Sequence, residues 1–216
     1  MKLVIGNKNY SSWSLRAWLL LSHHGVPFEE VRIPLDQDDT YTSLAQYTEA
    51  AKVPVLQDGD LTVWDSMAIC EYISEQHLEG RGWPSSVRAR AEARSCSAEM
   101  HSSFPEIRGQ LPMNCRASER RVSLSSDLAA EVARMDRIWS KYREIYSGSG
   151  PWLFGEFSIA DCMFAPVASR FETYGIGLSE TASQYMRCLL SHEKVSEWVE
   201  KARVEPETID MAEVGI

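Results

Sequence analysis

Three serines crowd one short stretch of the chain, Tyr10-Ser11-Ser12-Trp13-Ser14-Leu15-Arg16, directly after an apolar run ending at Ile5. A serine hydroxyl at the start of a helix does one of two things. It caps the helix by accepting a backbone N–H, or it donates to an anion held in front of the helix. The helix end adds about half a positive charge. At neutral pH a thiolate gains most from such a place. Ser12 and Ser14 look better placed to cap, which would leave Ser11 free to donate. A second pair, Asp65-Ser66, follows a strand-like run and precedes an apolar-periodic one. Its hydroxyl and backbone N–H suit a carboxylate and its aspartate suits an ammonium, so together they would hold an α-amino acid zwitterion. The same dipeptide also reads as an ordinary helix start.

These residues need elements to position them. Lys2–Ile5 reads as a short strand, and 14–24 as a helix with Leu15, Trp18, Leu19 and Ser22 on one face and Gly25 after its end. Residues 29–33 alternate as a half-buried strand. A strand, a helix and a strand within 35 residues form a crossover unit, so the two strands should run parallel. Residues 36–50 are polar and acidic, with at most a turn or two of helix near 43–47. Val53-Pro54-Val55-Leu56 and Leu61-Thr62-Val63-Trp64 flank an Asp58-Gly59 turn, which predicts a hairpin. Pro54 lacks a ladder donor, so its segment must be an edge or a place left open for a ligand. The helix begun at Asp65-Ser66 should run to about Gln76.

Gly80-Arg81-Gly82-Trp83-Pro84 breaks the composition, and strand signals vanish after it. Helices are expected over about 85–109, broken or kinked at Pro105, then over 123–146, from Ser158 to about 174, and over 194–203. Ser158-Ile159-Ala160-Asp161 is a capping-box pattern with Phe157 before it, so Asp161 should serve folding rather than catalysis. Trp83, Trp139, Trp152 and Trp198 read as core aromatics.

The 216 residues include 22 Lys and Arg against 31 Asp and Glu, a net charge of −9, which argues against a nucleic-acid partner. The excess of acid is concentrated in the first 80 residues, which hold 5 basic and 12 acidic side chains and so differ in character from the rest. No run reaches the ~20 apolar residues of a membrane span, and the N-terminus goes straight into a strand without a signal-peptide core, so a cytoplasmic protein is expected. The five cysteines, Cys70, Cys96, Cys115, Cys162 and Cys188, form no C-x-x-C and no metal spacing with histidine. They read as small buried hydrophobes, and no metal is expected.

Taken together, Tyr10–Arg16, Lys52-Val53-Pro54-Val55-Leu56, Asp65–Ile73 and Phe157–Asp161 resemble the cytosolic glutathione S-transferases, in the family's order and spacing and over nearly the whole chain. The resemblance implies an α/β thioredoxin-like domain over 1–78, a linker over 79–85 and an all-α helical domain over 86–216. It implies a cis Pro54. It implies glutathione as co-substrate, bound by Ser11, Ser12, Trp13, Lys52, Val53, Pro54, Asp65 and Ser66. Val53 would pair with the cysteinyl unit, Asp65 and Ser66 would hold the γ-glutamyl end, and Ser11 would stabilise the thiolate as the catalytic hydroxyl. Within the family the chain looks nearest to the serine-type zeta class, which includes maleylacetoacetate isomerases, although Trp13 stands where that class has cysteine.

The implied activity is transfer of the glutathione thiol to a small electrophile, as in detoxification, by a homodimer. The alternatives are cis–trans isomerisation of the maleylacetoacetate type and a non-catalytic interaction module of the same fold. A second substrate would sit between the domains. His101, Phe104, Arg108 and Asn114 would wall an apolar pocket with one positive group, suited to an electrophile bearing a carboxylate; Arg170 is a further cation. Met100, Phe104 and Met113 also read as core, with Arg108 solvated.

Overall fold

The computed structural model describes residues 1–215. Leu3, Val4 and Ile5 are fully buried, so the first strand, β1 (Lys2–Ile5), lies inside its sheet, as a continuous apolar run requires. The helix α1 (Ser12–His23) carries the chain over to β2 (Glu29–Arg32), which pairs parallel with β1 from Lys2↔Glu29 to Ile5↔Arg32. A short α2 (Thr40–Ala45) follows, then β3 (Val55–Asp58) and β4 (Leu61–Trp64). These last two form the expected hairpin, with Asp58 opposite Leu61, so the turn residues are Gly59 and Asp60 rather than Asp58 and Gly59. Gly59 has φ +61°, a conformation that glycine adopts without a Cβ penalty. The sheet order is β2-β1-β3-β4. β2 is an exposed edge rather than a half-buried strand.

The helix α3 (Ser66–His77) closes this α/β half, and helices alone follow: α4 (Val87–Ser102), α5 (Pro105–Gln110), α6 (Ser126–Tyr146), α7 (Ile159–Thr173), α8 (Glu180–Leu190) and α9 (Glu193–Arg203). The expected long helix over 85–109 is two helices. Phe104 takes a left-handed φ of +64° and Pro105 starts α5 at a position where its missing N–H costs nothing. α8 was absent from the sequence expectations. α7 is buried almost all round and packs against α1, α4 and α8, so it is the axis of the helical half and its contact with the α/β half.

Asp161 closes the capping box at the start of α7 as expected, and does more. Its carboxylate also accepts from Leu153 N (3.1 Å) and Tyr185 Oη (2.8 Å). Four of the five cysteines are buried and all are free. Among the described residues no helix is long and apolar enough to cross a membrane.

After α9 the chain returns to the first half. The Glu205 carboxylate accepts from Lys8 N (2.8 Å) and Asn9 N (3.0 Å), Glu207 pairs with Arg32, and Tyr10 donates to Glu213 (2.7 Å). This strap grips the loop that leads into α1.

Candidate active site

A groove of about 760 Å³ opens beside the N-termini of α1 and α3, walled among others by Trp13, Lys52, Val53, Pro54, Trp64, Asp65 and Ser66. Six of the eight residues expected to bind glutathione thus share one cavity. The Val53–Pro54 peptide is cis, as the resemblance implies. Pro54 does not lie on an edge strand. It precedes β3, an inner strand whose ladder begins at Val55, so the Val53 peptide groups stand beyond the ladder, facing the open alternative.

Ser66 carries the clearest chemical signal. The residue is 1% exposed, yet its Oγ has no hydrogen-bond partner. A buried hydroxyl without a partner is unfavourable unless a ligand supplies one. Asp65, just before it, has φ +77° and ψ 130°, a sparsely populated conformation for a non-glycine residue. One of its oxygens accepts from Met67 N (2.8 Å) and Ala68 N (3.3 Å); the other lies 3.1 Å from His101 Nε2. Asp65 is therefore both the cap of α3 and a link to α4. Burial lowers the His101 pKa against the pull of Asp65, so His101 meets it near pH 7 as a neutral donor.

The three serines of α1 have three different partners. Ser11, not Ser12 or Ser14, is the N-cap: its Oγ accepts from Ser14 N (3.3 Å) and donates to Ser14 Oγ (2.8 Å). Ser14 Oγ also accepts from Gly6 N (3.1 Å), tying the end of β1 to the helix. Ser12 Oγ accepts from Arg170 of α7 (3.1 Å). Ser11 and Ser12 are buried and do not wall the groove, whereas Trp13 does.

The expected second pocket divides. His101 and Arg108 lie at Trp13: the His101 ring meets the indole edge to face at 5.2 Å, and the Arg108 guanidinium lies 4.7 Å from the indole centroid. Arg108 is not simply solvated, since it donates to the carbonyls of Met100, His101 and Ser103 at the end of α4. Phe104 and Asn114 belong elsewhere. Phe104 is buried in the main core. Asn114 is 2% exposed, accepts from Asn9 (3.0 Å) and donates to Glu213 (2.9 Å), so it fastens the strap instead of lining a pocket. Sequence reasoning missed Arg16. It lies 4.4 Å from the Trp13 centroid, 1% exposed, with Nε and Nη1 unpartnered. Its three-residue spacing from Trp13 was the available signal.

The architecture is a four-stranded α/β domain joined to an all-helical one. The family profile "Glutathione S-transferase, N-terminal domain" matches residues 10–76, and "Glutathione S-transferase, C-terminal domain" matches 125–201. The chain belongs to the glutathione S-transferase family. Its similar relatives include a stringent starvation protein A homolog of Haemophilus ducreyi, 22% identical over 83% of this chain and 79% of that one. Another is glutathione S-transferase F14 of Arabidopsis thaliana, 26% identical over 88% and 75%. Among solved structures, a glutathione transferase homolog from Burkholderia with bound glutathione superposes with a TM-score of 0.68 at 23% identity, over 94% of this chain and 97% of that one. A bacterial maleyl pyruvate isomerase of the zeta class gives 0.68 at 16% identity, over 97% and 100%. Both structures share the fold.

Proposed function

We propose that the protein is a glutathione transferase that binds glutathione in the Pro54 groove, ionises its thiol, and transfers it to a small electrophile. The observation that carries this reading is the orphaned, buried Ser66 hydroxyl at the start of α3, in a groove it shares with Val53, Asp65 and Trp13. The Ser66 hydroxyl and its own backbone N–H, the one in the first turn of α3 that Asp65 does not hold, would take the γ-glutamyl carboxylate. Asp65 would take the ammonium, the Val53 backbone the cysteinyl unit, and Lys52 the glycyl carboxylate. Ser11 would keep accepting from Ser14 N while turning its proton from Ser14 Oγ to the thiolate. Lowering a thiol pKa of ~8.5 by one to two units takes roughly 1.4–2.8 kcal/mol, within the range of one charge-assisted bond plus a helix N-terminus.

The domain boundaries at 78 and 86, a homodimer, a cytoplasmic location and a role in detoxification belong to the same reading. So does nearness to the zeta class, supported by the Ser11-Ser12 pair; Trp13 in place of cysteine weighs for conjugation over isomerisation. The test is titration calorimetry with glutathione, followed by turnover on an aryl halide, a peroxide, a haloacid and maleylacetone. Binding with turnover of the aryl halide supports transfer. Turnover confined to maleylacetone would make the protein an isomerase, and absence of glutathione binding would leave the interaction-module reading.

A further inference from the structure

Arg16 is a buried cation with no carboxylate within ion-pair distance. It lies in the middle of α1, 1% exposed, and makes no hydrogen bond through Nε or Nη1. Two further arginines converge on the same place. Arg108 lies against the same indole, and Arg170, 7% exposed, donates to Ser12 Oγ, one helical turn before Arg16, and to the carbonyls of Arg108 (3.3 Å) and Leu111. Among the described residues none of the three pairs with a carboxylate: Asp65, which lies 3.1 Å from His101, attracts Arg16 only from a distance, and Glu131 accepts from Ile107 N. Arg108 and Arg170 have carbonyl and hydroxyl acceptors, and Arg16 has none. Burial lowers its pKa to about 9, with Arg108 pushing the same way, and that of Arg170 to about 10; both stay protonated at neutral pH. A buried guanidinium with unmet donors is strongly unfavourable unless an anion completes it.

We propose that Arg16, flanked by Arg108 and Arg170 beneath Trp13, is an anion subsite that takes the carboxylate of the second substrate. The geometry argues for a planar oxyanion. The unmet Nε and Nη1 lie on the two donor edges of the guanidinium, Nε with Nη2 and Nη1 with Nη2, and either edge is a fork that a carboxylate accepts in two bonds. Trp13 is half-buried, walls the groove beside Ser66, and lies against Arg16, so it is the lid: the indole turns aside as the anion enters. The glycyl carboxylate of glutathione is the other possible source of such an anion. Lys52 is the basic residue on the groove wall and is suited to it, which leaves Arg16 for the second substrate. This inference rests on the reading of the groove as a glutathione site only for the identity of the neighbour; the anion subsite itself can be measured without glutathione.

The probe is succinate, with neutral succinamide as control, titrated into wild-type protein with and without saturating glutathione. Succinate is expected to bind in both conditions, to raise the melting temperature, and to change tryptophan fluorescence; succinamide is expected to do none of these. Arg16→Met should weaken succinate binding by roughly 30-fold or more. It should also raise the melting temperature of the unliganded protein, because an apolar side chain replaces an unpaired charge. Should Arg16→Met not fold, Arg108→Gln provides the second variant, expected to weaken succinate at least several-fold. Succinate binding without glutathione binding would sink the proposed function and leave this subsite standing. Three results overturn the subsite. One is no succinate binding in either condition. Another is succinate displaced by glutathione but not by glutathione ethyl ester, which would assign the arginines to the glycyl carboxylate. The third is an Arg16→Met protein that binds succinate as wild type does.

Discussion

Ser66→Ala should strengthen the unliganded protein and weaken its grip on glutathione. The two signs come from one atom. Ser66 Oγ is buried without a partner, so the folded protein bears the desolvation of a hydroxyl that the unfolded chain keeps hydrated. Removing it should recover about 1–3 kcal/mol. In a chain of this length each kcal/mol moves the melting temperature by about 2–4 °C. The same hydroxyl is assigned a bond to the γ-glutamyl carboxylate, and losing a hydrogen bond to a charged group costs about 1.5–3 kcal/mol, roughly a 10- to 150-fold rise in Kd. Ser74 is the internal control. It lies two turns later on α3, equally buried, but its Oγ accepts from Gly82 N at 3.2 Å. Ser74→Ala should therefore destabilise and leave glutathione affinity alone. Differential scanning calorimetry and isothermal titration on the three proteins read both effects. A Ser66→Ala protein that melts lower than wild type refutes the orphan argument. One that melts higher but binds glutathione unchanged refutes the assignment of the groove.

Three other outcomes follow from particular contacts. Ser11→Ala should lower stability by roughly 0.5–2 kcal/mol, since Ser11 caps α1, and should move the acidic limb of the pH–rate profile to higher pH; a limb that stays in place while activity falls would make Ser11 a cap only. Asp161→Ala should cost on the order of 3–5 kcal/mol in urea unfolding, because buried donors on Leu153, Ser158 and Tyr185 lose their acceptor, with turnover per folded molecule kept. Burial pushes Asp161 up to about 6 from 3.8, so the folded protein holds that proton more tightly than the unfolded chain. Its contribution is then greatest below about pH 4 and declines as pH rises towards 6; the Asp161→Ala curve should lack that decline, so the stability difference between wild type and variant should shrink over the same range. Glu205→Ala should leave the Lys8 and Asn9 N–H groups without an acceptor, and hydrogen exchange should quicken through residues 8–14; unchanged exchange there would show that the strap does not hold the loop.

What the sequence reveals and what it hides divide by the range of the interaction. The crossover unit, the hairpin, the capping box at Ser158 and the break at Pro105 each follow from neighbours a few residues apart, and each appears in the structure with boundaries shifted by no more than a few residues. α8 was missed although Ala182, Tyr185 and Leu189 hold one buried face, because Glu180, Thr181, Ser183 and Gln184 make its first half polar. The strap was missed for a stronger reason. Glu205, Glu207 and Glu213 look like solvated acids at a chain end, and nothing local says that their partners are Lys8, Asn9, Arg32 and Tyr10, close to 200 residues away.

The serines show the same division within a single turn. Their number pointed to a site, on the argument that a cap needs only one. In the folded chain each has its own partner. Ser11 ends the helix, Ser14 latches it to β1, and Ser12 receives Arg170 from the other half of the molecule. Crowding alone therefore did not require chemistry. What points to a ligand is a pair of the unsatisfied polar groups near Trp13, the Ser66 hydroxyl and the Arg16 guanidinium, beside the unpartnered His101 Nδ1. One lacks an acceptor or donor and the other lacks an anion. The groove lies open at Ser66 while Trp13 covers Arg16, so a thiol-bearing peptide on one side of the indole and an anionic electrophile on the other would bring nucleophile and acceptor together at the start of α1.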